Sequence, residues 1–393
     1  MIDFITPEIE ELKSNGLYRS LKTIEKIDFP KITISGKELI LFCSNNYLGL
    51  AQHPKVIESA QKAIKEFGAG SSASRLISGN FTLHDELEKK LAIYKKRDAA
   101  IVFSTGYMAN IGVITALTDE NDTVIIDRLN HASIVDACRL SKAKLQVYAH
   151  KDTKALEKIL MRSSRYKKRL VITDSVFSMD GDIAPLPEIV KLAKKYNALT
   201  MVDEAHAVFG TEEQVDIIMG TLSKALGSTG GFIAGSKLLI DYLRNKARSF
   251  IYTTALAPAS CAAALAAIEI IEQNPNLIEK LRKNIQQFTH LPHASPIIPI
   301  LIGDAKQTME ISNKLFDRGF FVSAIRPPTV PKGQSRLRIT ISAAHSEEEI
   351  SKLLSVLRKI MPPYGPVVGY AVLMPGLFLL QHLLFLQSFH PIP

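Results

Sequence analysis

The chain has 393 residues, with 48 Lys and Arg against 39 Asp and Glu, a formal net charge of +9. A hydrophobic fraction of 46% and a charged fraction of 22% exclude an intrinsically disordered chain, and the length suggests two to three domains at about 150 residues each. Three cysteines, Cys43, Cys138 and Cys261, cannot build a disulfide framework and lack metal-ligand spacing, which points to a reducing, cytoplasmic setting and no metal.

The opening residues, MIDFITPEIEELK, are acidic and amphipathic, unlike a secretory signal. Residues 1–40 read as helix, loop and a short strand pair. A long alternation of strands and helices follows. Short apolar runs mark strands at Ala99–Ser104, Thr123–Asp127, Leu145–Tyr148, Leu170–Thr173, Leu199–Asp203, Asp216–Met219 and Gly231–Ala234. Such runs suit strands buried on both faces of a parallel sheet, and periodic helical stretches such as Leu186–Tyr196 lie between most of them. The pattern predicts one seven-stranded, doubly wound α/β unit. An Ala-rich helix, Ser260–Gln273, leads into a second unit with strands near Ile297–Ile302, Phe320–Ala324 and Arg336–Ser342 and a closing helix, Ser346–Ile360. Expected divisions are an N-terminal segment 1–45, a large domain 46–260, a small domain 261–361 and a tail 362–393.

The tail contains no Lys, Arg, Asp or Glu. Val367–Leu386 has the length of a membrane span, yet Pro375-Gly376 breaks it and flanking charges are absent. A packed or disordered tail, a membrane-associated tail and an altered reading frame remain open. The net charge is also local. Arg139–Arg169 holds eleven basic residues and two acids, Asp152 and Glu157, and the rest of the chain balances. No nucleic-acid motif accompanies this segment. It reads either as a solvated surface or as a docking surface for an anionic donor.

In open α/β sheets, ligands bind beyond the carboxyl ends of the strands. Ser104-Thr105-Gly106-Tyr107 follows the first strand and opens a helix whose first N–H groups suit a phosphate. His131 follows the second strand, where it could stack on a ring, act as an acid or base, or be structural. The fourth strand ends in Asp174-Ser175. The fifth ends in Asp203, with His206 three residues on; Asp203 suits a protonated heteroaromatic nitrogen or a helix cap. The sixth leads into Thr221-Leu222-Ser223-Lys224. A lysine just past a buried strand is desolvated, which lowers its pKa and favours imine formation with a carbonyl. Gly68-Ala69-Gly70-Ser71-Ser72-Ala73 imitates a dinucleotide fingerprint but follows a helical pattern, Val56–Phe67, and not a strand.

Taken together, NNYLGL (Asn45–Leu50), GAGSSASRLISGN (Gly68–Asn80), STGYMAN, LNHASI, DSVFSMDGD, VDEAHA and GTLSKALGS resemble the α-oxoamine synthases, over roughly residues 1–361. That group of pyridoxal-phosphate (PLP) enzymes includes 8-amino-7-oxononanoate synthase, 2-amino-3-oxobutyrate CoA ligase, serine palmitoyltransferase and 5-aminolevulinate synthase. The resemblance implies a type I PLP-dependent transferase fold, with a mostly parallel seven-stranded sheet in the large domain and a smaller C-terminal α/β domain. It implies a homodimer that condenses an amino acid with an acyl-CoA or acyl carrier protein thioester, releasing CO₂. Alanine with a pimeloyl thioester, on the way to biotin, is the first expectation; glycine or serine with other acyl donors, or a non-catalytic partner subunit, are the alternatives. By the same resemblance, Lys224 would bond the cofactor's aldehyde carbon, Asp203 would face its ring nitrogen and His206 its ring oxygen. His131 would cover the ring. Gly106 and Tyr107, with Thr221 and Ser223, would hold the phosphate, which Thr253 and Thr254 would reach across a dimer interface. Ser175 and Asn46 would line the ring and substrate, Arg338 would clamp the amino acid's carboxylate, and Arg19 would contact substrate. The sequence departs from the group twice: it lacks a Gly-rich segment after Gly210, and it carries the tail after Met361.

Overall fold

The computed structural model describes residues 2–210, 214–290 and 295–361. The tail and Thr211-Glu212-Glu213, beside which the resemblance implied a Gly-rich segment, lie outside these residues, so neither sequence departure is described. No helix among the described residues is long and apolar enough to cross a membrane.

Seven strands form the large sheet: β1 (Ala99–Phe103), β2 (Thr123–Asp127), β3 (Lys144–Tyr148), β4 (Arg169–Asp174), β5 (Leu199–Asp203), β6 (Ile217–Thr221) and β7 (Gly231–Gly235). Their order is β1-β7-β6-β5-β4-β2-β3. The four pairs from β6 to β3 are parallel, while β7 runs antiparallel to both β1 and β6. Alternate residues feed two cores. Ala100, Val102 and Ile125 join one apolar cluster, and Ile101, Phe103, Val124 and Ile126 the other. Burial on both faces explains why these strands read as continuous apolar runs. Each matches its expected position to within two residues at either end.

Two other sheets flank this core. Residues 1–40 supply three strands where two were expected: Lys26–Asp28, Lys31–Ile34 and Lys37–Leu41. The single strand expected at Phe320–Ala324 is divided. Phe320–Phe321 pairs parallel with Lys37–Leu41, and Ser323–Ile325 pairs antiparallel with Ser335–Thr340. The fully buried Val322 lies at the change of sheet. An apolar run cannot reveal that its two halves have different partners. Ile297–Gly303 completes the three-stranded sheet against Ser335–Thr340. The closing helix, Glu347–Ile360, starts from a capping box between Ser346 and Glu349.

The topology also places the basic segment. Helices Ala132–Ser141 and Thr153–Arg162 run back from the strands' carboxyl ends, and β3 and β4 open with Lys144 and Arg169. Of the eleven basic residues, only Lys151 and Lys154 therefore sit at the carboxyl end, with Lys158 midway. The remaining charge gathers at the opposite end of the sheet. This weakens the reading of the segment as a guide for a donor entering at the strand ends, because screening in physiological salt acts over about 8 Å.

Candidate active site

The carboxyl ends of β1, β2, β4, β5 and β6 converge with Asn45-Asn46-Tyr47 and with Arg338 of Ser335–Thr340. Lys224, just past β6, is half-buried, and its Nζ lies 2.8 Å from His206 Nε2. Burial is the largest influence on this lysine. Opposed by the charges of Asp203 and Asp174, it still brings the pKa down from 10.5 to about 8. His206 is buried, and desolvation, reinforced by Lys224 and Arg338, holds its pKa well below 6.5. A neutral His206 beside an ammonium must accept at Nε2, so its proton sits on Nδ1. Nδ1–H then donates to the Tyr47 hydroxyl, 2.5 Å away, which donates to Asn45 Oδ1 at 3.1 Å. Arg338 Nη2 donates to the same Asn45 oxygen at 3.2 Å. One hydrogen-bonded path thus runs from Lys224 to Arg338.

A second network holds Asp203 and His131. Asn110 Nδ2 donates to Asp203 Oδ2 at 3.0 Å and to Ser133 Oγ at 2.9 Å. Ser133 Oγ lies 2.7 Å from His131 Nδ1, which also accepts from the Ser133 amide and caps helix Ala132–Ser141. The other Asp203 oxygen, Oδ1, accepts from the Ala205 amide at 2.9 Å. Asp174 stands directly across from Asp203 in the β4–β5 register. It is buried, and desolvation together with the nearby Asp203 charge raises its pKa well above 3.8. Asn130 Nδ2 donates to it at 3.0 Å.

The phosphate expectation is tested by local fit. Thr105 caps the 12-residue helix Gly106–Leu117 by accepting from the Met108 amide, and the first-turn amides of Gly106 and Tyr107 have no intrahelical partner. A Cβ on Gly106 would lie 2.6 Å from Thr221 Cγ2 and 2.8 Å from Met219 Cε, so this helix start can approach β6 only as glycine. Thr221 Oγ1 is buried and has no hydrogen-bond partner among the described residues. Two free amides and an orphaned hydroxyl fit a phosphate's acceptors. The exposed Ser223 follows in the same turn. Thr253 and Thr254 follow the short helix Arg248–Ile251, with the Thr254 carbonyl accepting from Ser104 Oγ at 3.0 Å.

Arg338 is buried, and no carboxylate pairs with it among the described residues. Its Nε donates to Ser178 O at 2.6 Å and Nη1 to Thr340 Oγ1 at 3.1 Å. Arg336, two residues earlier, instead pairs with Asp180 at 2.6 Å. An uncompensated buried guanidinium calls for an anionic ligand. Other expected residues are less available. The Ser175 hydroxyl donates to Asp203 O at 3.1 Å, so it braces β5, and the Asn46 side chain bonds Gln52 and the Ala51 amide. Arg19 is exposed and donates to Pro327 O at 3.2 Å. Asn45, Tyr47, Asn110, Asn130 and Asp174 escaped sequence reasoning. Asn110 had a signal, as the one strongly polar side chain in GYMANIGVITAL.

Residues 37–357 match the profile of aminotransferase class I and II. The chain belongs to that family. The α-oxoamine synthase resemblance within it is borne out by close relatives. The 8-amino-7-oxononanoate synthase of Thermoanaerobacter pseudethanolicus is 44% identical over 382 residues, covering 91% of this chain and 97% of that protein. That of Petrotoga mobilis is 46% identical over 382 residues, with the same shares covered. A solved serine palmitoyltransferase from S. paucimobilis, carrying a PLP–myriocin aldimine, matches this class I/II member with a TM-score of 0.85 at 32% identity. That match covers 90% of this chain and 96% of the other.

Proposed function

We propose that this protein is a PLP-dependent acyltransferase that condenses L-alanine with a pimeloyl thioester of CoA or acyl carrier protein. The products are 8-amino-7-oxononanoate, CO₂ and the free thiol, a step towards biotin. The observation that carries this reading is the 44% identity to an 8-amino-7-oxononanoate synthase across 91% of the chain, against 32% to the serine palmitoyltransferase. Retention of Lys224, Asp203, His131 and His206 at the converging strand ends favours catalysis over a silent partner subunit.

When bound, PLP supplies the electron sink that makes the substrate's Cα–H acidic. The residues divide the remaining work. Asp203 would hold a proton on the ring nitrogen, and Asn110 fixes Asp203 directly and His131 through the Ser133 hydroxyl. Gly106, Tyr107 and Thr221 seat the phosphate. Arg338 receives the alanine carboxylate, which orients the Cα–H. Lys224, with a pKa of about 8, releases and takes up a proton at Nζ near neutral pH, as a general base requires. His206 Nε2 orients that amine. The working unit is a cytoplasmic homodimer. Support comes from three unpaired cysteines and from apolar side chains left exposed on the isolated chain, among them Leu21 and Ile77.

The test is thiol release by the PLP-loaded protein, comparing alanine with pimeloyl thioester, serine with palmitoyl thioester and glycine with acetyl thioester. Alanine with pimeloyl should lead in kcat/KM by about a hundredfold or more. Faster turnover of serine with palmitoyl would replace this reading. No release from any pair would favour the silent subunit.

A further inference from the structure

We propose that His150 is a positioning residue for amino-acid binding: as an imidazolium it staples the Phe177–Asp182 loop, and that loop aims Arg338. The inference rests on the reading of Arg338 as the carboxylate receptor.

The geometry surrounds His150 on three sides. Its Nδ1 lies 2.9 Å from Asp127 Oδ1 at the end of β2, and its Nε2 lies 2.8 Å from Asp182 Oδ2. The ring meets Phe177 edge-on, with centroids 4.4 Å apart. Both ring nitrogens face carboxylates, so both must carry protons, and the ring is a cation. Lys151 reinforces the clamp. Its amide donates to Asp127 Oδ2 at 2.8 Å and its Nζ to Asp182 Oδ2 at 3.0 Å. Burial disfavours the charged ring, but the hydrogen bonds and charges of the two aspartates outweigh it and raise its pKa to about 9.

Asp182 closes the loop that reaches Arg338. Its carbonyl accepts from the Phe177 amide at 3.0 Å, and the Gly181 amide donates to Phe177 O at 2.7 Å. Gly181 has φ +68°, and a Cβ there would lie 2.1 Å from Ile297 O, so the loop presses on the small sheet where only glycine fits. On that side the loop offers Ser178 O to Arg338 Nε, and Met179 O and Asp180 Oδ1 to Arg336 Nη1. His150 therefore fixes one wall of the loop and the two arginines grip the other. Arg338 takes its aim from a loop anchored in the large sheet.

The experiment uses the PLP-loaded enzyme with His150→Gln, which keeps one hydrogen bond but not the bridging charge, and with Asp182→Asn in case the first variant folds poorly. Thermal melting and the visible cofactor band establish that fold and cofactor are retained. Misplacing Arg338 by a fraction of an ångström should raise KM for alanine about ten- to a hundredfold and lower kcat with it, because the Cα–H is then misoriented, leaving the thioester's KM within about twofold. In an Arg338→Ala background, His150→Gln should add nothing to the alanine KM, because the arginine it positions is gone. An alanine KM within about twofold of native in the single variants would overturn the proposal, as would His150→Gln multiplying the Arg338→Ala effect. Should Arg338→Ala itself leave the alanine KM unchanged, the carboxylate assignment fails instead, so the two failures are distinct.

Discussion

Replacing Tyr47 by phenylalanine removes one oxygen from a fully buried side chain and leaves its ring in place. No cavity of consequence opens, so the cost is in hydrogen bonds. The hydroxyl accepts from His206 Nδ1 and donates to Asn45 Oδ1. Asn45 Oδ1 keeps Arg338 as a donor. His206 Nδ1–H keeps nothing. Turning the imidazole to its other tautomer offers no escape, because it aims an N–H at the ammonium of Lys224, 2.8 Å away. Leaving one buried donor unsatisfied costs about 1–3 kcal/mol. Urea denaturation of the cofactor-free protein at neutral pH measures this as a lower midpoint at unchanged m-value. A loss below about 0.5 kcal/mol would refute the reasoning, since it would mean that His206 does not depend on Tyr47 for its tautomer.

Other outcomes follow from the same site. The pKa of Lys224 is lower in the folded state, about 8 against 10.5, so the unfolded chain holds that proton more tightly. The penalty is fully present below pH 8 and fades as pH rises towards 10.5. Lys224→Met should therefore stabilise the cofactor-free protein at pH 7 by up to about 3 kcal/mol, less the lost His206 contact, and by much less at pH 10. Equal gains at both pH values, measured by urea denaturation, would reject the desolvated-lysine account. Gly106→Ala places a methyl within 2.6 Å of Thr221 Cγ2. It should cost about 1–3 kcal/mol and weaken PLP affinity measured by visible titration, and unchanged affinity would remove the phosphate seat from this helix start.

Much of the architecture was legible because parallel strands buried on both faces must be apolar throughout, and the seven runs stood out between periodic helices. The chemistry-bearing ends of those runs were legible too. Lys224, Asp203, His131 and Gly106 each sit where a strand stops, and the fold gathers these strand ends around the candidate site. Local sequence could not show pairing. Phe320–Ala324 is one apolar run that serves two sheets, because each half meets a different neighbour. Resemblance pointed to Arg338 over Arg336, adjacent on one face of one strand, but periodicity gave no physical reason; the position of Asp180 neutralises the first and leaves the second without a counter-ion among the described residues.

The basic segment shows the same division. Its sequence concentrated the charge, and its helices' directions decided that most of this charge faces away from the strand ends. By itself the sequence determined the family and the strand-and-helix alternation, and it nominated the residues proposed to meet the cofactor. Tertiary structure alone decided which groups hold those residues: Tyr47 on His206, Asn110 on Asp203, and the Asp127–His150–Asp182 staple behind Arg338. The physical reason is distance along the chain. Propensity and periodicity act over a few residues, whereas Tyr47 meets a partner 159 residues away and Arg338 one 160 residues away, and only a closed fold brings such groups within hydrogen-bonding range.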